Sequence, residues 1–301
     1  MLISRTHTTI IALVASAGFA VSSLAPAVSQ AQVVIGLPPT ALTPTPGELH
    51  AFPLPVGPNL IPRDPLSITK GPDGNMWFTE FTGGKVGRII VSGTLPVVST
   101  NRALLARTAF TRTGQITEFS SGITAESGPA GITRGPDGNM WFTEETGNAI
   151  GRITPAGVVT QFGAHPVDDE TAEGALEVNS LPTTITAGPD GNLWFTESLG
   201  NRIGRITPAG AVTEFSGLPA ESDPTGIVAG PDGDLWFTEA LNSGVARMTR
   251  NGELIGLYKT AEYGEPRAIA AGPGNTLWFT EYSGDQIARI AFNSPVTRNA
   301  Q

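Results

Sequence analysis

The stretch GPDGNMWFTE, at Gly71–Glu80, occurs again unchanged at Gly135–Glu144, and three variants of it follow along the chain. The variants are GPDGNLWFTE at Gly188–Glu197, GPDGDLWFTE at Gly230–Glu239 and GPGNTLWFTE at Gly272–Glu281. Each copy holds one of the five tryptophans of the protein, and the last three tryptophans are spaced 42 residues apart. Self-similarity at a fixed period of this length indicates an architecture built from one supersecondary unit per copy.

Each unit predicts four short strands joined by tight turns. In the third copy, Thr184–Ala187 leads to an Asp-Gly turn, whose glycine suits the positive φ of a hairpin. The segments Asn192–Glu197, Arg202–Thr207 and Ala211–Phe215 follow, with a Thr-Pro-Ala-Gly turn before the last of them. Four-stranded units with this period are typical of β-propeller blades. The sequence therefore predicts an all-β fold, a propeller of five four-stranded blades.

The two ends of the repeat predict how the propeller closes. The fifth copy has a third strand at Gln286–Ile290, and no fourth-strand pattern follows it. The segment Gly47–Phe52 (GELHAF) resembles the fourth-strand segment Gly114–Phe119 (GQITEF) but has no earlier strands before it. We therefore expect the N-terminal strand to complete the last blade, which would remove a sheet edge that other strands could pair with.

The sequence before the repeat predicts two further segments. Residues 1–31 carry Arg5, an apolar run and small residues near Ala31, a pattern typical of a signal peptide. Residues 32–46 are rich in proline and threonine and predict an extended linker, which leaves residues 47–301 for the β-propeller domain. We expect the protein to be secreted or periplasmic after cleavage.

Composition excludes some classes of partner. Cleavage after residue 31 removes one arginine and no acidic residue, so the formal net charge changes from −9 to −10. Because the chain has no basic stripe, we expect neither nucleic acid nor an anionic membrane as a partner, and we expect a monomer. The chain has no cysteine, which is compatible with an oxidising compartment but provides no disulfides.

Two insertions interrupt the repeat. The first, within about 90–113, mixes arginines with leucines and predicts either a short amphipathic helix for a partner or an elongated hairpin. The second, within about 163–181, starts near His165 and is acidic, so we expect a solvated loop. The other histidine after residue 31 is His50, which we expect to lie at the surface of the N-terminal strand.

The glutamate that ends each copy of the motif is expected to lie near the central channel, in a ring that binds a ligand. The ring would consist of Glu80, Glu144, Glu197, Glu239 and Glu281. Two carboxylates about 8 Å apart repel by roughly 2 kcal/mol at an effective dielectric near 20, so something must offset their charge. One candidate is a bound cation. The other is the arginine of each blade, namely Arg88, Arg152, Arg205, Arg247 and Arg289.

The residues that begin the first strands complete the pattern. They read Pro65-Leu66, Pro129-Ala130, Pro182-Thr183, Pro224-Thr225 and Pro266-Arg267. The combination of P-x-x-I-T, GPDG, WFTE and N-x-I-G-R-I-T in such units is similar to the streptogramin B lyases, the virginiamycin B lyase family of propellers. The resemblance covers almost all of the chain after residue 31.

This resemblance implies a metal-assisted elimination that opens a cyclic depsipeptide at its ester. In the family, a magnesium ion held by glutamates polarises the ester carbonyl, and a histidine directly after the proline takes the neighbouring proton. Matched position by position, Glu265 and Glu281 are the expected magnesium ligands. Arg267 stands in the slot of the base, and Thr225 stands in the slot of a second histidine one blade earlier.

The arginine in the base slot changes the expected chemistry. A guanidinium is protonated at neutral pH and cannot accept a proton, so we do not expect Arg267 to act as a base. We expect it to pair with Glu265 and Glu281 or to hold a ligand. Three functions remain open: a lyase of cyclic peptides or lactones, a non-catalytic propeller that binds a peptide, protein or glycan, and a lactone hydrolase like the gluconolactonases.

Overall fold

The computed structural model describes residues 51–55, 63–91, 114–163, 175–260 and 262–292, which belong to one compact unit, Gln32–Gln301. All regular elements in these ranges are β-strands, and none of these residues forms a helix long and apolar enough to span a membrane. The strands form five antiparallel sheets, four with four strands and one with three. The predicted all-β fold of four-stranded propeller blades is therefore confirmed.

The blades are numbered along the chain. Blade 1 contains β1 (Pro65–Lys70), β2 (Met76–Glu80), β3 (Lys85–Ile89) and β4 (Ile116–Phe119). Blade 2 contains β5 (Pro129–Arg134), β6 (Met140–Glu144), β7 (Ala149–Ile153) and β8 (Val159–Phe162). Blade 3 contains β9 (Pro182–Ala187), β10 (Leu193–Glu197), β11 (Arg202–Ile206) and β12 (Val212–Phe215). Blade 4 contains β13 (Pro224–Ala229), β14 (Leu235–Glu239), β15 (Gly244–Met248) and β16 (Leu254–Lys259). Blade 5 contains β17 (Pro266–Gly272), β18 (Thr276–Glu281) and β19 (Gln286–Ala291).

The order of strands within a blade follows the chain, so each strand pairs with the next. First strands of successive blades pack side by side, from β1 on β5 through β13 on β17. The first strand is therefore the innermost strand of its blade, and the fourth is the outermost. We call the end of the blades where first strands begin and second strands end the mouth face.

The GPDG turn differs in detail from the two-residue hairpin that the sequence suggests. In blade 1 the amide of Gly71 donates to the carbonyl of Asn75, and three residues lie between them. Only the last of the three, Gly74, has a positive φ, of 79°. A three-residue loop that ends on a left-handed glycine is a common hairpin connection, and it explains why glycine follows the aspartate.

The hydrophobic core lies between the blades. Tryptophan and phenylalanine alternate along each second strand, so they project from opposite faces of the sheet. At the first interface, Trp77 and Val86 of blade 1 pack against Ile132 and Phe142 of blade 2. The same combination of residue types recurs at the next three interfaces. Blades 2 to 4 therefore each bury one face against the preceding blade and the other against the following blade.

Several sequence predictions fall on residues that are not described. These are the signal peptide, the linker, His50, His165 and the first insertion from 92 to 113. The predicted N-terminal strand Gly47–Phe52 is described only at its last two residues. The second insertion returns to the described residues at 175, and Leu176 then lies buried between blades 2 and 3.

Candidate functional site

Each second strand ends on a glutamate that the fold buries. The strand register pairs this residue with the proline that begins the first strand, as in the pair Pro129 and Glu144, so both lie at the mouth face. Four of these side chains are at most 1% exposed and the fifth is 5% exposed: Glu80, Glu144, Glu197, Glu239 and Glu281. A buried carboxylate must find partners or keep its proton, because the interior disfavours an isolated charge.

The buried carboxyl groups of blades 1 to 3 meet residues of the outermost strand of their own blade. In blade 2, Gln161 Nε2 donates hydrogen bonds of 2.8 and 2.6 Å to the two carboxylate oxygens of Glu144. In blade 1, Glu80 interacts with Glu118, which Lys85 binds in turn. The blades therefore accommodate the same buried glutamate with different partners.

Burial changes the protonation of these groups. Desolvation raises the pKa of Glu80 to about 7, and the charge of Glu118 adds to the effect. In blade 3, desolvation raises the pKa of Glu197 to about 8, again with a second carboxyl group, Glu214, as the next cause. At neutral pH we therefore expect Glu197 to hold its proton.

These contacts correct the prediction of a carboxylate ring around the channel. The glutamate side chains of blades 1 to 3 extend along the blade to its outer strand, because that is where their partners lie. These side chains therefore contact residues of their own blades. Ligand binding by Glu80, Glu144, Glu197 and Glu239 remains a prediction.

The predicted pairing of these glutamates with the recurring arginines is wrong. The register places each of these arginines opposite the tryptophan, three residues before the glutamate, as in the pair Trp77 and Arg88. The guanidinium of Arg88 lies 5.3 Å from the Trp77 ring and 5.5 Å from the Phe119 ring. Its ionic partner is Asp73 of the GPDG turn, at 3.5 Å. The recurring arginines thus cover the tryptophans rather than neutralise the mouth face.

Blade 5 carries a polar cluster at its mouth face. Arg267 and the hydroxyl of Ser283 both donate hydrogen bonds to the carboxylate of Glu265, which lies just before β17 with a φ of 50°. These bonds, from Ser283 and then Arg267, lower the pKa of Glu265. The guanidinium of Arg267 lies 5.2 Å from the ring centroid of Tyr282, and the arginine side chain is 47% exposed. The expected pairing of Arg267 with Glu265 is observed, whereas no ion pair of Arg267 with Glu281 is found among the described residues.

Thr225, in the slot one blade earlier, lies next to Arg267. Its hydroxyl is 2.9 Å from the hydroxyl of Thr238 and 3.3 Å from the carbonyl oxygen of Arg267. Thr238 donates a shorter bond, of 2.7 Å, to the same carbonyl. The structure therefore brings Thr225 and Arg267, the two predicted site positions, into contact through the backbone of Arg267. The hydroxyl groups of Thr225 and Thr238 hold that backbone in place.

The residues of this cluster do not fit a magnesium ion. Magnesium requires near-octahedral coordination by oxygen atoms, and the Glu265 carboxylate already accepts bonds from Arg267 and Ser283. A guanidinium next to the site also repels a cation. Among the described residues, no three His, Cys, Asp or Glu side chains form a group that could hold a metal ion. The assignment of Glu265 and Glu281 as magnesium ligands rests on the resemblance alone and remains a prediction.

Sequence reasoning missed three residues near these carboxylates. Tyr282 and Ser283 directly follow the buried Glu281 and contact Arg267 and Glu265, respectively. Arg63 lies 3.9 Å from Glu80 in blade 1. Its position in the sequence could have identified Arg63, because it stands two residues before the first-strand proline, where blades 2 to 4 have a serine. Those serines are Ser127, Ser180 and Ser222.

The loops at the mouth face also expose apolar side chains. Tyr263 is 79% exposed and Tyr282 is 69% exposed, both beside the start or end of a blade 5 strand. Leu199 and Leu241 are each 67% exposed in the turns that follow the second strands of blades 3 and 4. The mouth face around Arg267 therefore combines an accessible cation with aromatic and aliphatic surface.

Comparison with known proteins identifies relatives of this chain. A model of the virginiamycin B lyase family matches residues 165–300. A virginiamycin B lyase from Nocardia farcinica is 30% identical over 164 residues. This segment spans 49% of the chain and 53% of the Nocardia protein, so the match covers about half of each.

Solved structures extend the similarity. The virginiamycin B lyase of Staphylococcus aureus is 35% identical, with a TM-score of 0.65, over 84% of this chain and 76% of that one. The same lyase, as a catalytically inactive histidine-to-alanine variant with quinupristin, matches at 36% identity and a TM-score of 0.61, over 78% of this chain and 71% of that one. A putative gluconolactonase is 14% identical with a TM-score of 0.50, over 71% of this chain and 70% of that one, and shares the fold alone.

Proposed function

Because the chain belongs to the virginiamycin B lyase family, we propose that it binds a cyclic depsipeptide or a related lactone at the mouth face of blade 5 without opening the ring by histidine-dependent elimination. The observation that carries the proposal is the hydrogen bond from Arg267 to Glu265. It places a permanent cation where the resemblance expects the catalytic base.

The elimination requires a group that accepts a proton near neutral pH. Arginine is unsuited to this task because its pKa is above about 12. The first-strand slots of all five blades hold leucine, alanine, threonine or arginine, and none of the three histidines of the chain lies among the described residues. The position from which the family's base would act is therefore occupied by Arg267, which cannot accept a proton.

Binding does not require that base. The S. aureus lyase exists as a catalytically inactive histidine-to-alanine variant with quinupristin, so in that relative the ligand can be present without turnover. This supports the proposal that a member of the family can bind the ligand without opening its ring.

The residues around Arg267 suit a cyclic peptide ester. Such a ligand has no free termini and presents carbonyl oxygens and side chains. Arg267 bonds to Glu265 through a terminal nitrogen, and its planar fork has further N–H donors that can reach a ligand carbonyl. The exposed rings of Tyr263 and Tyr282 supply contact area for apolar groups of the ligand. Recognition would thus combine one anchored cation with two aromatic surfaces.

The other functions have less support. The lactone hydrolase rests on a likeness of fold at 14% identity, which carries no information about chemistry. A protein or glycan partner, secretion and the monomeric state remain predictions from the sequence.

Quinupristin provides the test. We would titrate it into protein lacking residues 1–31 by calorimetry and follow the ligand by chromatography and mass spectrometry. Elimination changes retention without a change of mass, whereas hydrolysis adds one water. We expect binding with no ring opening, and at least about tenfold weaker binding by Arg267→Met.

Arg134→Met is the matched control, because Arg134 is an exposed arginine at the opposite end of a first strand. It should bind like the original protein. Ring opening by the unmodified protein, or equal binding by both arginine variants, would contradict the proposal.

A further inference from the structure

The outermost strand of blade 4 is longer than its counterparts and ends on a cation. β16 has six residues and ends at Lys259, whereas the fourth strands of blades 1 to 3 have four residues each. The strand register gives Lys259 the position that follows the fourth-strand phenylalanine in those blades. The residues there are small, namely Ser120, Gly163 and Ser216. Blade 4 therefore places a long charged side chain at a mouth-face position that is small in blades 1 to 3.

A cavity of about 390 Å³ lies beside Lys259 at the mouth face. Its walls come from residues 241–243 between β14 and β15, from residues 259–260 at the end of β16, and from residues 262–263 in the connection to β17. Sites for small molecules typically measure roughly 300–1,000 Å³. Tyr263, in the last of these walls, stands four positions before Arg267. The cavity therefore adjoins the cluster at which we place the ligand.

Hydrogen bonds hold the walls of the cavity in place. Lys259 Nζ donates to the backbone carbonyl of Asn242 at 2.8 Å, and the Asn242 side chain donates to the hydroxyl of Ser222 at 3.0 Å. The amide of Thr260 donates to the carbonyl of Ser243 at 2.9 Å. The turn and the strand end are thus tied to each other, so the cavity is already formed in the protein without a ligand.

Tyr263 occupies a strained and exposed position in this wall. Its φ is 60°, in the left-handed region that a bulky side chain rarely adopts. The residues three positions before the other first-strand prolines of blades 2 to 4 have the same conformation, but they are polar: Glu126, Asn179 and Glu221. The side chain of Tyr263 is 79% exposed, the largest value among the large hydrophobic side chains that the structure describes. A strained aromatic residue that packs so little against the protein indicates a role in binding.

The cavity combines apolar and polar contacts. The ring of Tyr263 and the side chain of Leu241, which is 67% exposed, provide apolar surface. Lys259 has three N–H donors, and only one of them is needed for its bond to Asn242. The carboxylate of Glu262 provides acceptors at the same cavity. A phenol matches all three groups, because its ring stacks on a tyrosine while its hydroxyl accepts from an ammonium group and donates to a carboxylate.

We propose that this cavity binds a phenol group, such as the side chain of a tyrosine residue, on the cyclic ligand that Arg267 anchors. The proposal rests on the function proposed above and specifies the ligand further. Tyr263 and Lys259 are then residues that determine specificity, since they select cyclic peptides or lactones with a hydroxylated aromatic substituent. A simple carboxylate suits the cavity less well, because Glu262 repels it.

N-acetyltyrosinamide is the probe, because it has a phenol group and no charged terminus. We would measure its binding by saturation-transfer NMR, on the same protein as in the quinupristin titration. We expect saturable binding, and binding at least about tenfold weaker for N-acetylleucinamide, which has no ring. No saturable binding of the tyrosine derivative, or equal binding of the two compounds, would overturn the proposal.

The variant Tyr263→Asn separates contact with the ligand from a structural role. It introduces the residue that blade 3 has at this position, Asn179, and asparagine adopts the left-handed region more readily than tyrosine. We therefore expect the variant to unfold at the same temperature or a higher one, while it binds N-acetyltyrosinamide at least about tenfold more weakly. Binding equal to that of the unmodified protein would show that Tyr263 does not contact the probe.

Two leucines provide a matched pair of variants. Leu241 and Leu199 stand at equivalent positions after the second strands of blades 4 and 3, and both are 67% exposed. Only Leu241 lines the cavity. Leu241→Ser should therefore weaken binding of the probe by about threefold or more, and Leu199→Ser should leave it unchanged. Equal binding by the two variants would place the probe elsewhere.

Arg267→Met distinguishes this site from the function at Arg267. The variant should bind quinupristin more weakly but bind N-acetyltyrosinamide like the unmodified protein, because Arg267 does not line the cavity. If quinupristin binds and N-acetyltyrosinamide does not, the phenol site is refuted and the function at Arg267 stands. If N-acetyltyrosinamide binds in a way that depends on Tyr263 and quinupristin does not bind, the function at Arg267 is refuted and the cavity remains a site for phenols.

Discussion

Arg267 donates a hydrogen bond to Glu265, which lies two residues before it at the entrance to β17. The pair neutralises itself, and stacking of the guanidinium over Tyr282 fixes its orientation. The carboxylate that the family resemblance assigns to a metal ion is therefore bound by a side chain of the same strand segment. The resemblance predicts a magnesium ion at Glu265, and in the structure the guanidinium of Arg267 donates a hydrogen bond to that carboxylate.

Replacement of the arginine should make the cluster more favourable for magnesium. In Arg267→His, Glu265 loses its cationic partner at neutral pH, and the repulsion of a divalent ion is removed. We expect calorimetry to show magnesium binding at least about tenfold tighter than in the unmodified protein.

Addition of Glu281→Gln to this variant should abolish the gain, because it removes the second expected ligand. The parallel change Glu144→Gln, in blade 2, which has alanine in the position of Arg267, should leave the gain in magnesium affinity unchanged. Equal magnesium affinity with arginine or histidine at position 267 would show that Arg267 does not occupy the place of a metal.

The carboxyl pair of blade 3 should make stability depend on pH near neutrality. The pKa of Glu197 is about 8 in the folded protein, above its ordinary value of 4.5. The native state then binds more protons than the unfolded state between these values, so the free energy of unfolding falls as the pH rises through this window.

Glu214→Gln should reduce this loss. Blade 2 already has Gln161 at the equivalent position, where its amide donates to Glu144. We expect the variant to be more stable than the unmodified protein by about 2 kcal/mol at pH 8, with a smaller difference at pH 5, by urea unfolding. The reciprocal variant Gln161→Glu should steepen the pH dependence. Parallel stability curves for Glu214→Gln and the unmodified protein would refute the role of the pair.

The sequence predicts the fold because the fold is periodic. One strand pattern per copy is enough to place the four strands of a blade, and a repeated tryptophan marks each interface. The positions of Thr225 and Arg267 in neighbouring slots follow from the same period. These features depend on local pattern and on the spacing of copies, which a single sequence contains.

Side-chain direction at the mouth face could not be predicted in the same way. The sequence predicts the glutamate of each motif near the channel, but in blades 1 to 3 it contacts the outer strand, because residues such as Gln161 on that strand provide partners. The sequence also predicts that the arginine of each blade neutralises this glutamate, but the register places Arg88 opposite Trp77, three residues before Glu80. Register and side-chain contacts arise from pairing between strands, and periodicity alone does not fix them.

The aspartate of the GPDG turn should contribute stability that acid removes. Asp137 accepts hydrogen bonds from Trp141 Nε1 at 3.0 Å and from Asn139 Nδ2 at 2.7 Å. Burial opposes ionisation, but these bonds outweigh it and lower the pKa of Asp137. A lowered carboxyl pKa contributes stability above the unfolded value of 3.8, and this stability is lost as the pH falls through the folded value.

Asp137→Asn should therefore cost about 1–2 kcal/mol at pH 7 and much less near pH 3, by urea unfolding. Thr276→Val is the comparison, because Thr276 accepts the equivalent bond from Trp278 Nε1 at 3.0 Å without a charge. The loss in the free energy of unfolding caused by Thr276→Val should not change with pH. A cost of Asp137→Asn that is the same at both pH values would contradict the charged hydrogen bond.

Thr238 should act as a positioning residue for Arg267. Its hydroxyl donates to the Arg267 carbonyl at 2.7 Å and accepts from the amide of Gly226 at 2.8 Å. Thr143 makes the same two bonds, both at 2.8 Å, to Thr183 and Gly131 at an interface away from the cluster. Valine at either position should cost about 1–3 kcal/mol of stability, because it leaves a buried amide without its acceptor.

Only Thr238→Val should also weaken quinupristin binding, by about threefold or more, because only there does the backbone of the anchoring arginine lose its support. Thermal unfolding and calorimetry on the two variants would measure both effects. Equal binding by Thr238→Val and Thr143→Val, at equal loss of stability, would show that the threonine holds the blades together without positioning the arginine.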